Sequence, residues 1–206
     1  MVQLEYAAQL IRLVEKDLSV RERLFREKQL IGDYHPETEK IHRENAETLR
    51  KIICDIGFPG ISKVGSEAIE AAWLVAQHAI AEPAFMKSFF ELMIDNMEDV
   101  NKKHWAYLLD RIQYFQRKPQ LFGTQLNADD SIYPVVNLEE LKALRLEYFL
   151  PMSCFSHKWS ASFLSERYMI ALAVVISGTA PAVMILKIIN SCSISGFKNT
   201  VESKCL

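Results

Sequence analysis

Ser66-Glu67-Ala68-Ile69-Glu70-Ala71-Ala72-Trp73-Leu74-Val75-Ala76-Gln77-His78-Ala79-Ile80-Ala81 is the stretch whose reading decides the fold. Ser66 is a residue type that caps helix N-termini, because its hydroxyl accepts a bond from an unpaired N–H of the first turn. The spacing predicts a helix from there to about Ala81. Ala68, Ala71, Ala72, Ala76 and Ala79 are small and let other helices pack closely against it.

Helical patterns continue on both sides. Upstream, Leu4, Ala7, Ile11, Val14, Leu18 and Phe25 fall near one face of a helix over 3–30, with charged residues between them. Gly32-Asp33-Tyr34-His35 interrupts it. Pro36 suits the first turn of a second helix, where its missing N–H is not needed. Ile41, Asn45, Leu49, Ile52 and Ile56 share a face of that helix, and Gly57 is placed to stop it. Downstream, Pro83 opens a helix with Phe85, Phe89, Met93 and Met97 inward. Asn101 caps another, with Trp105, Leu108, Leu109, Ile112 and Phe115 as its apolar face. The period is lost between Lys118 and Gln125, and Asn127-Ala128-Asp129-Asp130-Ser131 reads as a turn. A small β-hairpin is expected near 120–136, with Pro134 restricting it to an edge. Asn137 caps a last helix through Tyr148. The fold class is therefore mainly α: a compact multi-helix domain over residues 1–152 with one small hairpin.

The 206 residues carry 24 basic and 26 acidic side chains. Near-neutral charge gives no footprint for nucleic acid, and no nucleic-acid partner is expected. The charge is unevenly spread. Residues 1–152 hold 19 Lys and Arg against 24 Asp and Glu, whereas residues 153–206 hold five against two. Cys54, Cys154, Cys192 and Cys205 form no C-x-x-C pair, so neither a zinc site nor a redox dithiol is indicated. The N-terminal residues lack the basic start and apolar run of a signal peptide, and a cytoplasmic domain is expected.

Several short motifs occur in order: Gly32-Asp33-Tyr34-His35-Pro36, His42 with Asn45-Ala46, Gly57-Phe58-Pro59-Gly60, and Val64-Gly65. Then come Ala71-Ala72-Trp73 with Gln77-His78-Ala79, Leu109-Asp110-Arg111, and Gln120-Leu121-Phe122-Gly123-Thr124-Gln125. Together they make residues 3–152 resemble a bacterial family known as domain-of-unknown-function family 6624. Phe58 stands where that family tends to have Trp, and Phe122 where it tends to have Tyr. The resemblance implies a compact helical domain and no particular activity.

His78 is the leading candidate for chemistry, since a neutral imidazole can serve as base or ligand. The alternative is a core histidine with a satisfied hydrogen bond. Asp110 can orient His78, and Arg111 can clamp an anion with its planar fork; the alternative is a structural ion pair or helix-to-loop lock. Gln77, Gln120, Thr124 and Gln125 complete the ligand-binding candidates, or else tie the irregular loop to the helices. Glu39-x-x-His42, with His35, has the spacing of a metal-bundle motif. No second copy is present, and no metal is expected. No phosphate loop, dinucleotide loop, nucleophile elbow or H-E-x-x-H motif occurs, so the cofactor is unknown.

Tyr168 to Leu186 is a 19-residue run without charge. It makes residues 168–189 a candidate membrane span that would tether the domain. An extra packed helix and an unselected extension replacing the usual end are the other readings of this divergent apolar tail, 153–206. Three functions remain open. The first is a small-ligand binding or interaction module with a polar pocket around His78, Asp110 and Arg111. The second is a hydrolase or group-transfer enzyme using His78 as general base. The third is a protein–protein adaptor in which His78 is structural; its partner is unknown.

Overall fold

The helical periodicities become seven α-helices in a computed structural model of the chain, which describes residues 2–29 and 34–152. They are α1 (Leu4–Arg26), α2 (Pro36–Ile56), α3 (Ile61–Val64), α4 (Ser66–His78), α5 (Pro83–Asp95), α6 (Lys102–Phe115) and α7 (Leu138–Glu147). A single 3-10 turn, Met97–Asp99, links α5 to α6.

The small-residue helix is the hub. α4 touches α1, α2, α3, α5 and α6, and Ala68, Ala72 and Ala76 on it are almost wholly buried. Short side chains let five neighbours approach one helix closely, and close packing of this kind carries much of the dispersion energy of a core. Two local expectations change. Gly65, not Ser66, occupies the N-cap position of α4, and no side chain caps that end. The helix stops at His78 rather than Ala81, because Ala79 leaves helical geometry and Pro83 starts α5 four residues later.

α1 and α2 lie antiparallel. Asn45 donates to the Leu13 carbonyl (3.1 Å), His42 meets Asp17 (3.0 Å) and Arg23 meets Glu37 (2.5 Å), so the two chains run past each other in one register. Pro36 takes the first position of α2 and the His35 ring accepts the Glu37 N–H at 3.2 Å. Gly57 ends α2 with φ 71°, a conformation that a Cβ disfavours. Asn101 and Asn137 cap α6 and α7 through their side-chain oxygens, as their positions predict. Leu4 and Phe25, at the ends of α1, are exposed rather than inward. Phe115 is exposed too and lines a shallow apolar recess of about 140 Å³ with Pro83, Met86 and Ile112.

The expected hairpin does not form. Among the described residues there is no sheet; residues 120–136 contain only two isolated bridges, Gln120 with Val135 and Leu126 with Ile132. Side chains have taken the groups a ladder needs. The Gln120 amide donates to the carbonyls of Gln125 (2.9 Å) and Tyr133 (2.7 Å), and Pro134 has no N–H to offer. Beneath this loop, Phe90, Trp105, Phe122 and Tyr148 form a buried aromatic cluster with neighbouring ring centroids 4.6–5.9 Å apart. No described helix is long and apolar enough to cross a membrane. The candidate span 168–189 lies outside the described residues.

Candidate functional site

The buried stripe of α1 runs through Ala7, Leu10, Asp17 and Leu24, so a carboxylate sits in phase with apolar residues. On α2 the buried stripe includes Thr38, Ile41, His42 and Asn45. The antiparallel register sets Asp17 opposite His42. The last residue of α4, His78, closes on the same carboxylate from the third side.

The geometry is a shared carboxylate. His42 Nε2 lies 3.0 Å from Asp17 Oδ1, and His78 Nδ1 lies 2.6 Å from Asp17 Oδ2. The hydroxyl of Tyr34 lies 2.5 Å from His42 Nδ1. The two imidazoles are tilted with centroids 5.0 Å apart. Asp17 and His42 are buried, and the His78 side chain keeps 13 % of its surface exposed.

Hydrogen-bond capacity fixes the protonation pattern. Two imidazole contacts hold the Asp17 carboxyl well below the usual carboxylate range, although burial, the largest influence, pushes the other way. An ionised Asp17 only accepts, so His42 Nε2 and His78 Nδ1 carry the protons. His42 Nδ1 then accepts from the Tyr34 hydroxyl, whose own pKa burial raises. One lone pair is left over, on His78 Nε2, to which none of the described residues bonds. Burial lowers the His78 pKa to about 4 against the opposing pull of Asp17, so this imidazole is neutral at pH 7.

The donor atoms of Asp17, His42 and His78 all lie within 4.8 Å of one another, a spacing that a divalent cation could also bridge. His35, Glu39 and His42, grouped by spacing in the sequence with no metal expected there, do not come together. His35 caps α2, Glu39 pairs with Arg43 at 2.7 Å, and His42 turns to Asp17.

Asp110 does not orient His78. Its oxygens accept the N–H groups of Leu121 (2.8 Å), Phe122 (3.1 and 3.2 Å) and Thr124 (2.9 Å), so the orienting role at His78 falls to Asp17. Burial pushes the Asp110 pKa up while those N–H donors favour the charge. Gln120, Thr124 and Gln125 belong to the same loop lock. Gln120 Oε1 accepts the Gln125 N–H at 2.8 Å, and the Gln125 amide donates to the Thr124 hydroxyl at 3.0 Å. Arg145 completes it by donating to the carbonyls of Phe122 (2.6 Å) and Gly123 (3.0 Å). Arg111 is half-buried on α6 and makes no bond to His78. Gln77 is buried beside His78, and its Oε1 has no partner among the described residues.

Asp17, Tyr34 and the pairing of His42 with His78 escaped the sequence reading. The signal for Asp17 was its phase: it lies three residues from Val14 and seven from both Leu10 and Leu24, where an apolar residue belongs.

Comparison with curated proteins finds no match, and comparison with solved structures finds none. The family model described as "Family of unknown function (DUF6624)" matches residues 7–153, which contain Asp17, Tyr34, His42 and His78, and the chain therefore belongs to that family.

Proposed function

We propose that the domain is a hydrolytic or group-transfer enzyme in which His78 is the general base and Asp17 its orienting carboxylate. One observation carries this reading: His78 Nδ1 is tied to a buried carboxylate at 2.6 Å, the His78 side chain keeps 13 % of its surface exposed, and none of the described residues bonds to Nε2. That arrangement fixes the tautomer and leaves the Nε2 lone pair unused by the described residues. Nε2 would take the proton of water or a substrate hydroxyl as that oxygen bonds to the acyl or phosphoryl centre, and would return it to the leaving-group oxygen as the bond to that group breaks. The resulting imidazolium would sit against Asp17, which compensates its charge in a poorly solvated place. His42 and Tyr34 are positioning residues: His42 holds the second oxygen of Asp17, and Tyr34 fixes the His42 tautomer.

The test is a turnover screen of the full chain on activated esters, phosphomonoesters and phosphodiesters. His78→Gln is expected to reduce any activity found to background, and Asp17→Asn to reduce it by roughly 100-fold or more. Activity is expected to survive EDTA unchanged. Retention of activity in His78→Gln sinks the base. Dependence on added Zn²⁺ would instead make Asp17, His42 and His78 its ligands. If no substrate turns over, the small-ligand binding module becomes the better reading of the same residues.

A further inference from the structure

We infer that the substrate carries an oxyanion, a phosphate or carboxylate group, which Arg21 holds beside His78; this rests on the reading of His78 as the reactive residue. Arg21 lies one helical turn beyond Asp17 on α1, and residues four apart share a helix face. The α1–α2 register pairs Asp17 with His42 and Arg23 with Glu37, which sets Arg21 opposite Thr38.

Two groups there lack partners. Arg21 is half-buried, and among the described residues no carboxylate or carbonyl bonds to it. Of the other arginines on the same two helices, Arg23 pairs with Glu27 and Glu37, Arg26 with Glu22, Arg43 with Glu39, and Arg50 with Glu82, while Arg12 is exposed to solvent and Arg21 is not. Second, Thr38 is only 5 % exposed and its hydroxyl has no hydrogen bond among the described residues. Buried polar groups are nearly always paired, so each such exception asks for a missing partner. A guanidinium fork and a hydroxyl donor together match the oxygens of a phosphate or carboxylate. The charge of Arg21 also reaches the network, since it disfavours protonation of His78 and slightly offsets the rise that burial gives the Tyr34 pKa. The anion-clamping role expected of Arg111 thus passes to Arg21, which lies along the same helix as the orienting carboxylate.

The experiment is an NMR titration of the full chain with inorganic phosphate and, separately, with acetate, following the Arg21 Nε–H and the His78 imidazole nitrogens. A saturable shift of both residues is expected with at least one anion, and the stronger of the two identifies the source. Arg21→Gln is expected to weaken binding at least tenfold, and Arg21→Lys less. Arg26→Gln, which removes an exposed ion pair, should leave it unchanged. Circular dichroism melting would confirm that each variant is folded. Absence of a saturable shift with both anions, or equal affinity in Arg21→Gln, overturns the inference. His78→Gln should still bind phosphate within about threefold. If that variant binds the anion and also retains turnover, the base assignment fails and the anion site stands. If Arg21→Gln slows anionic and neutral substrates alike, the anion site fails and His78 stands.

Discussion

Asp17 carries two histidines on one carboxylate, and an amide cannot replace it. In Asp17→Asn one oxygen still accepts, but the amide NH₂ then faces an imidazole N–H. The expected loss is about 2 kcal/mol of stability, as for a buried donor left without an acceptor, read from urea denaturation midpoints. His78 gives the site a pH signature. Its folded pKa is about 4 against an ordinary 6.5. Between those values the unfolded chain binds a proton that the folded chain does not, so stability is fully present above pH 6.5 and declines as the pH falls towards 4. The decline is up to roughly 3 kcal/mol. The Asp17 carboxyl, held low in the fold, adds a further loss only as the pH falls through and below 3.8. Denaturation at pH 7.5, 5.5 and 4.5 should show this slope in the wild type and a shallower one in His78→Gln. An equal slope in both would remove His78 as its origin.

Among the elements, the loop after α6 is the most dependent on side chains. Asp110 replaces a sheet ladder as acceptor for Leu121, Phe122 and Thr124, and Arg145 covers the carbonyls of Phe122 and Gly123. Gly123 turns at φ 65°, which lets the chain wrap around both groups. Asp110→Asn is expected to cost about 2 kcal/mol. It should speed hydrogen exchange at the amides of Leu121, Phe122 and Thr124 while leaving those of α1 and α2 protected. Uniform acceleration across the domain would contradict a local lock. At the start of α6, Asn101→Ala removes one cap and should cost about 1 kcal/mol, measured as a shift in melting temperature.

At the scale of the molecule, the hub helix sets the tolerance to change. Ala72 has no exposed surface and lies on the element that five others contact. Ala72→Leu adds volume where no neighbour can retreat alone, and overpacking of this kind costs about 1–3 kcal/mol. The His78 ring should shift with it, visible in its NMR resonances. The described core runs from Ala7 to Leu150 and includes the cluster of Trp105, Phe122 and Tyr148. A chain ending at Met152 is therefore expected to unfold in one cooperative transition. A broad, gradual melt would show that the core needs residues beyond it.

Much of this was legible in the residues themselves. Pro36, Gly57, Pro83, Asn101 and Asn137 act within one turn of their own position, so helix starts and stops followed from local chemistry. The alanines of 66–81 marked the hub, and His78 stood out on it. Local reading failed where partners are distant in the chain. Residues 120–136 look like a hairpin in isolation, yet Asp110 and Arg145, from two helices, satisfy the backbone that strands would have paired. Asp17 carries no motif. Its meaning comes from the register of α1 against α2, which sets it opposite His42, and from the end of α4, which delivers His78 from 61 residues away. The sequence by itself determined the six longer helices, because capping and periodicity are properties of neighbouring residues, but not the short α3 or the exact ends of α4. Only the tertiary structure decided which carboxylate met which histidine, because that pairing depends on how three helices pack.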